Sequence, residues 1–407
     1  MINSRARKEN MNKEELIDNK YMEQAQVLSK GAEIMPDGVK GLAKKLQKSA
    51  QAGVPLRVKL GLDPTRPDLH LGHTVVMRKL RLFQEFGHRV VLIIGGATAM
   101  VGDPSGKSET RPALSKEQVE QNAQTYFEQM SKVVDVESAE VLNNADWLHK
   151  MQFTDLLKLA ASTTIAQLMA RDDFNKRYKE GLPISVVEFF YPLMQGYDSV
   201  EVNADIELGG QDQTFNLLMG RAIQEFYGLE KQQLAMVLPL IEGTDGVVKM
   251  SKTYPQHCIS LTDDPKDMYG KLMSIPDELM PRYYLLLTEL HFNKNTNPRD
   301  EKMRLAFELT RMYNGEEAAI IAQNEFINVV QNKRIPSEIP EIRLDTPANI
   351  LDILVSLGFC ASKGEAKRLI VQNAVKFDDE KISDTGTIID RGGIVQAGKR
   401  NYAKITF

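Results

Sequence analysis

Two histidines and two lysines carry the strongest chemical signal in this chain. His70-Leu71-Gly72-His73 puts two imidazoles at i and i+3 where a helix begins, so both lie on one face. A helix N-terminus already favours anions, and imidazoles there can donate hydrogen bonds to triphosphate oxygens. Lys249-Met250-Ser251-Lys252-Thr253 sets two ammonium groups in a short polar loop after the flexible lead Gly243-Thr244-Asp245-Gly246. Placed so, they can clamp the charge that develops on a leaving pyrophosphate. Alone, each segment also reads as solvated surface, and the histidines as two metal ligands. A metal site needs a third ligand, however, and His88, His149, His257 and His291 show no matching spacing. Together the two segments point to the handling of a nucleoside triphosphate.

Three further stretches add polar groups. Tyr191, Gln195 and Asp198 stand at i, i+4 and i+7, so they line one helix face, and Pro192 suits the first turn of that helix. Their apolar company, Phe189, Phe190, Leu193 and Met194, favours a pocket that reads a polar ligand over a wet surface stripe. Glu207-Leu208-Gly209-Gly210-Gln211-Asp212-Gln213 ends a strand and opens a helix; the glycines admit close backbone approach, and Asp212 suits a ribose contact or a helix cap. Gly102–Ser108 resembles a P-loop but fails its pattern, because the first glycine would fall at Val101. What it offers is Asp103, close to Lys107 and Arg111.

The elements that must position these groups read as α/β. Val58, Leu60 and Leu62 alternate into the turn Asp63-Pro64-Thr65-Arg66-Pro67; a helix follows from about Gly72 to Gly87, then the apolar strand Arg89–Ile94. This is a parallel βαβ unit, in which ligands sit beyond the carboxyl ends of the strands. Residues 115–200 read as mostly helical, Val200–Leu208 and Leu234–Leu240 as strands, and 260–335 as helix again, with no internal repeat or low-complexity tract. Prolines 336, 340 and 347 mark a linker, and the tail combines helices with short β segments.

With 407 residues, 42% hydrophobic and 26% charged, the chain is an ordinary multidomain globular protein. The net charge of −4 gives no global basic field for nucleic acid, so any such contact must come from a local patch. Two cysteines exclude a disulfide framework and a four-cysteine zinc site. The charged first twenty residues exclude a signal peptide, and no apolar run approaches membrane-span length. The expectation is a cytoplasmic protein.

These residues resemble the class I aminoacyl-tRNA synthetases, with their His-Ile-Gly-His and Lys-Met-Ser-Lys-Ser signatures, and most closely the bacterial tyrosyl-tRNA synthetases. Gly61-Leu62-Asp63-Pro64-Thr65, the Gly102–Lys107 stretch, Tyr191-x-x-x-Gln195-x-x-Asp198 and Gly209-Gly210-x-Asp212-Gln213 carry the likeness. In the tail, Ala361-Ser362-Lys363-Gly364-Glu365-Ala366-Lys367-Arg368-Leu369-Ile370 resembles an S4-type RNA-binding domain. The resemblance implies a Rossmann-like parallel-sheet catalytic domain over 51–255 with a helical insertion at about 115–200. Around it would lie an N-terminal helical arm (1–50), a helical domain (256–335), a linker (336–347) and a small α+β S4-like domain (348–407).

It also implies roles. Asp198 would accept the hydrogen bond of the substrate phenol; Tyr191, Gln195 and Asp103 would hold its α-ammonium group, with Gly61, Asp63 and Gln213 also against the tyrosine. Gly210, Asp212 and Met250 would contact ATP, Asp212 at the ribose. Thr65, His70, His73, Lys107, Arg111, Lys249 and Lys252 would stabilise the triphosphate and departing pyrophosphate. Tyrosine, ATP and tRNA(Tyr) are the implied partners, with magnesium on the phosphates, no dedicated metal site, and a homodimer. Lys363, Lys367 and Arg368 would touch tRNA, helped by Lys399, Arg400 and Lys404, although from Glu341 onward ten Lys/Arg face nine Asp/Glu.

The chain departs from the family at several points. Lys59 stands where many members place a tyrosine as a second phenol contact. Asn373-Ala374 and Asp378-Asp379-Glu380 replace glycine-bearing positions in the tail. Three rival readings share parts of the pattern: a tryptophanyl enzyme, a small-molecule nucleotidyltransferase, and a non-catalytic RNA-binding paralogue. Asp198 argues against the first, since an indole offers only an N–H donor; the lysine loop and tail argue against the second, and the intact polar set against the third.

Overall fold

A computed structural model describes residues 17–64, 68–105, 116–331, 339–398 and 401–407. The chain forms two compact units, Met1–Glu316 and Glu317–Phe407. The first is built on β1 (Glu33–Met35), β2 (Arg57–Leu62), β3 (Arg89–Ile94), β4 (Glu140–Asn143), β5 (Ile206–Gly210) and β6 (Leu234–Leu238), in the spatial order β1-β6-β5-β2-β3-β4. Strands β2 to β6 run parallel, and β1 closes the edge antiparallel to β6. Val90–Ile94 of β3 and all of β6 are buried, as the strands of a sheet covered on both faces must be.

The helices that matter here are α1 (Asn19–Ser29), α2 (Gly38–Ala52), α3 (Leu71–Glu85), α4 (Lys116–Met130), α5 (Phe190–Glu201) and α6 (Thr214–Phe226). From β2 the chain moves outward through β3 and β4, then returns to lay β5 on the other side of β2. The crevice beyond the carboxyl ends of β2 and β5 is therefore the topological switch point, where open α/β sheets bind ligands. Gly196 and Gly220 let α5 and α6 meet closely: a Cβ on Gly196 would lie 2.5 Å from Ile223 and 3.3 Å from the Gly220 Cα.

The expected α/β class is found, with differences in detail. Val200 and Glu201 end α5 rather than begin a strand; β5 starts only at Ile206. The intervening apolar residues Val202 and Ala204 are buried against Val91 and Ile93, and Gln224 Nε2 donates to the carbonyls of Ser199 and Ala204 at 3.0 Å each, ending the helix there. The stretch read as an N-terminal helical arm also supplies the edge strand β1. Strand β4 falls inside the stretch read as helical; only its partly buried edge position marks it.

In the second unit, β7 (Glu341–Arg343), β8 (Ala348–Asn349), α7 (Ile350–Ser356), α8 (Lys363–Val371), β9 (Val375–Phe377), β10 (Glu380–Lys381), β11 (Ile388–Ile389), β12 (Gly393–Ala397) and β13 (Asn401–Thr406) follow in sequence. Its main sheet has the order β10-β9-β12-β13-β7. Strand β7 lies in the stretch read as a linker and pairs parallel with the last strand of the chain. Ile350, Leu354, Ile370, Val375, Val395 and Ile405 form its core. Asn373, Asp378 and Asp379, within the stretches read as departing from glycine-bearing positions of the family, all have positive φ (55°, 48° and 66°), and Asn and Asp are the side chains that tolerate that region best.

Candidate active site

A cavity of about 380 Å³ opens at the switch point, lined by Leu60–Leu62 of β2 and Asp63 just after it, His70 capping α3 and His73 within it, Tyr191, Gln195 and Asp198 of α5, Leu208–Gly210 of β5, and Lys249–Ser251. The spacing within α5 turns one face inward. Pro192 falls in the first turn, where its missing N–H has no intrahelical partner to lose.

At one end the polar groups are bonded to each other. Asp198 is buried; its Oδ1 accepts from Trp147 Nε1 at 2.8 Å and its Oδ2 from Asn144 Nδ2 at 3.1 Å. Burial pushes this carboxyl up to about 7, opposed by the Lys59 ammonium and by the Asn144 and Trp147 hydrogen bonds. The Tyr191 hydroxyl donates to Asp63 Oδ2 at 2.8 Å, and Thr98 Oγ1 donates to Asp63 Oδ1 at 2.8 Å. Burial, followed by the Asp63 carboxylate, drives the Tyr191 phenol well above its ordinary range, so it stays a donor. A Cβ on Gly95 would lie 1.9 Å from Asp63 Oδ1, so only glycine fits beneath that carboxylate. Gln213 Nε2 donates to Asp103 Oδ2 at 2.7 Å, and Asn216 Nδ2 donates to Gln213 Oε1 at 2.9 Å, which fixes the Gln213 amide.

The other end is built by the backbone. His70 caps α3: its Nδ1 accepts from Gly72 N at 3.1 Å, and its own N–H donates to His73 Nδ1 at 3.1 Å. The rings lie 3.9 Å apart. Burial, the other imidazole and the nearby lysines lower His70 to about 2; burial and then Lys252 lower His73 to about 4. Both are thus neutral near pH 7. With each Nδ1 accepting from backbone, the proton sits on Nε2, which is left as a donor. The lysine loop reaches this pair because the strand-like return after it is stitched to the segment before α3. Leu71 N donates to Ile259 O at 3.0 Å, Leu261 N to Leu69 O at 2.9 Å, and His70 bridges Ser260. Lys249 Nζ lies 2.9 Å from Asp212 Oδ2, across the cavity mouth.

Most of the sequence-predicted groups converge here: Gly61, Asp63, His70, His73, Asp103, Tyr191, Gln195, Asp198, Gly210, Asp212, Gln213, Lys249 and Met250 all line the one cavity. Lys252 does not line it; its Nζ lies 5.7 Å over the ring of Tyr126, which does. Asp212 is not a helix cap but the ion-pair partner of Lys249. Thr65, Lys107 and Arg111 lie outside the described residues, as do Lys399 and Arg400. Sequence reasoning missed Thr98, Asn144 and Trp147; the one signal for them was that Trp147 is the single tryptophan of the chain. Among the described residues no group of three or more His, Cys, Asp or Glu is placed to hold a metal ion. In the second unit Lys363, Lys367 and Arg368 are exposed on α8, and Lys363 pairs with Asp352.

Fold and site together define a class I synthetase of the tRNA-charging kind: residues 51–331 match the family model for tRNA synthetases class I (W and Y). Residues 331–405 match that for the tyrosine--tRNA ligase SYY-like C-terminal domain. A tyrosine--tRNA ligase of Thermotoga maritima is 52% identical over 86% of this chain and 90% of its own, and one of Moorella thermoacetica 48% identical over 96% and 97%. The chain belongs to the tyrosine--tRNA ligase family. A C-terminally truncated mitochondrial tyrosyl-tRNA synthetase of Aspergillus nidulans shares the fold, with a TM-score of 0.60 at 22% identity over 75% of this chain and 92% of that one. No helix among the described residues is long and apolar enough to cross a membrane.

Proposed function

We propose that this chain is a tyrosine--tRNA ligase that activates L-tyrosine with ATP and transfers the tyrosyl group to the terminal ribose of tRNA(Tyr), both at the switch-point cavity. The observation that carries the reading is a single space shared by the Tyr191–Gln195–Asp198 face and by His70, His73 and Lys249. The tyrosine carboxylate attacks the α-phosphate in line, the bond to pyrophosphate breaks, and a ribose hydroxyl of the tRNA then displaces AMP. No protein nucleophile takes part; positioning and charge stabilisation lower the barrier.

Asp198, held by Asn144 and Trp147, accepts the phenol hydrogen; Tyr191, Gln195 and Asp103 hold the α-ammonium, with Gly61, Asp63 and Gln213 beside the substrate. Gly210, Asp212 and Met250 receive ATP. The Nε2–H groups of His70 and His73, with Thr65, Lys107, Arg111, Lys249 and Lys252, meet the phosphates. Magnesium fits as a companion of the triphosphate, which supplies its oxygen ligands, rather than as an ion caged by protein.

Lys363, Lys367 and Arg368 of the S4-like second unit contact tRNA, and the enzyme works in the cytoplasm. The finer division into arm, catalytic, helical, linker and tail segments is part of the same proposal. So is a symmetric homodimer, supported by Phe153, Leu157, Ile165, Tyr178, Val186 and Val187, all exposed between residues 153 and 187. Light scattering that finds a monomer at working concentration removes the dimer alone.

Pyrophosphate exchange with tyrosine, tryptophan and phenylalanine, followed by charging of tRNA, tests the whole. Exchange with tyrosine alone, and tyrosyl transfer to tRNA(Tyr), are expected. Comparable exchange with tryptophan overturns the substrate, and adenylate formation without charging overturns the acceptor.

A further inference from the structure

Lys59, the residue that departs from the family pattern, is fully buried beneath α5. It sits one position before the cavity-lining Leu60 of β2 and does not itself line the cavity. Its ammonium has three protons and finds three acceptors: Glu207 Oε1 at 3.0 Å, Ser199 Oγ at 2.7 Å and the Gln195 carbonyl oxygen at 2.8 Å. Glu207, on the neighbouring strand β5 and equally buried, is saturated in turn. Its Oε1 also accepts from Gln195 Nε2 at 3.0 Å; its Oε2 accepts from Ser199 Oγ at 3.0 Å and Gln233 Nε2 at 2.5 Å. There is no slack around it, since a Cβ on Gly220 would lie 3.1 Å from Glu207 Oε2.

We propose that Lys59 is a positioning residue for substrate recognition: paired with Glu207, it fixes the Gln195 side chain so that its amide oxygen faces the α-ammonium of the amino acid. The carboxylate engages the amide nitrogen of Gln195, so the oxygen is the atom left for the cavity, and an oxygen is what an ammonium needs. The same ammonium holds the Gln195 carbonyl, tying the helix backbone to the sheet at the residue whose side chain is being aimed. A neutral or apolar group at position 59 alone would strand the buried Glu207 carboxylate without a counter-charge. This inference rests on the reading that Gln195 meets the α-ammonium.

The test compares L-tyrosine with 3-(4-hydroxyphenyl)propanoate, the same molecule without its amino group, by calorimetric binding to the full chain. The double variant Lys59→Met/Glu207→Gln removes both charges, so no buried ion is stranded, and a carboxamide at 207 has one acceptor oxygen where the carboxylate had two. L-tyrosine should bind about 10- to 100-fold more weakly, the loss of one hydrogen bond to a charged group, while the deamino analogue changes less than about twofold. In exchange assays KM for tyrosine should rise by the same factor with kcat within about threefold. Glu207→Gln alone keeps the lysine and carries the same comparison if the double variant does not fold.

Gln195→Ala is the control. If it lowers L-tyrosine binding selectively but the double variant retains wild-type affinity, or weakens both ligands equally, the role of Lys59 is overturned and the reading of Gln195 stands. If Gln195→Ala affects both ligands alike, the reading of Gln195 fails and the proposal falls with it.

Discussion

The two ends of the cavity are built on opposite principles. At the end proposed for the amino acid almost every polar atom already has a protein partner: Asp198 with Asn144 and Trp147, Tyr191 with Asp63, and Gln195 with Glu207. At the end proposed for the phosphates, Lys249 stands toward solvent, its side chain 48% exposed, with one carboxylate, Asp212, to hold it. A buried, satisfied network is rigid before substrate arrives, and it discriminates because a ligand that fails to complete it leaves groups unpaired. Exposed cations discriminate little, and become strong only when a polyanion displaces the water around them. In the proposed function, recognition and charge stabilisation are thereby separated along one cavity.

The largest test of that contrast is Asp198→Ala. Losing the proposed phenol acceptor and stranding the Trp147 and Asn144 donors should lower kcat/KM for tyrosine in pyrophosphate exchange by about 10²–10³-fold, with KM for ATP unchanged within about threefold. A comparable rise in ATP KM would mean that the ends are mechanically one. Next comes Lys249→Ala, expected to reduce kcat by about 10²-fold, with KM for tyrosine altered less than about threefold, since its proposed interaction develops with the leaving charge. If KM for tyrosine climbs as far as kcat falls, the separation is wrong.

The ends should also answer differently to pH. Asp198 is raised to about 7, and in its proposed role the ionised form accepts the phenol's hydrogen bond, so the competent fraction grows as pH rises. KM for tyrosine is expected to fall about tenfold between pH 6 and pH 8. His70 and His73, lowered to about 2 and about 4, stay neutral across that window, so the histidine pair contributes no matching change to ATP binding. A tyrosine KM flat over this range removes Asp198 as the titrating reader. The smallest effect is ionic: raising salt from about 50 to about 300 mM should increase KM for ATP a few-fold and leave KM for tyrosine within about twofold, because screening acts on exposed charges. Equal responses would show that the amino-acid end is less closed than its hydrogen bonds indicate.

The amino-acid face was legible in the sequence because helical periodicity is local: three polar residues at i, i+4 and i+7 share a side whatever the rest of the chain does. The histidine pair was legible for the same reason, together with the strand–turn–helix frame around it. The partners of Asp198 were not, since Asn144 and Trp147 lie 54 and 51 residues away and a buried polar pair leaves no periodic trace. Val200–Ala204 misled because apolar residues that close a helix onto a core alternate much like a strand. Lys59 showed only as a departure, with no hint that Glu207, 148 positions on by subtraction (207 − 59), would neutralise it.

What the chain by itself determined, then, was the inventory and its local geometry: an anion-ready helix start, a lysine loop, a polar helix face, an α/β frame and a family. Each depends on spacings within one turn or one strand, which short-range sterics and hydrogen bonding impose. Tertiary structure alone decided that the loop after Lys252 is stitched to the start of α3, that β5 returns beside β2 to open the crevice, and that a buried lysine paired with Glu207 holds the backbone of Gln195. Those outcomes need contacts between residues far apart in the chain, and their energies come from desolvation and packing that no local pattern encodes.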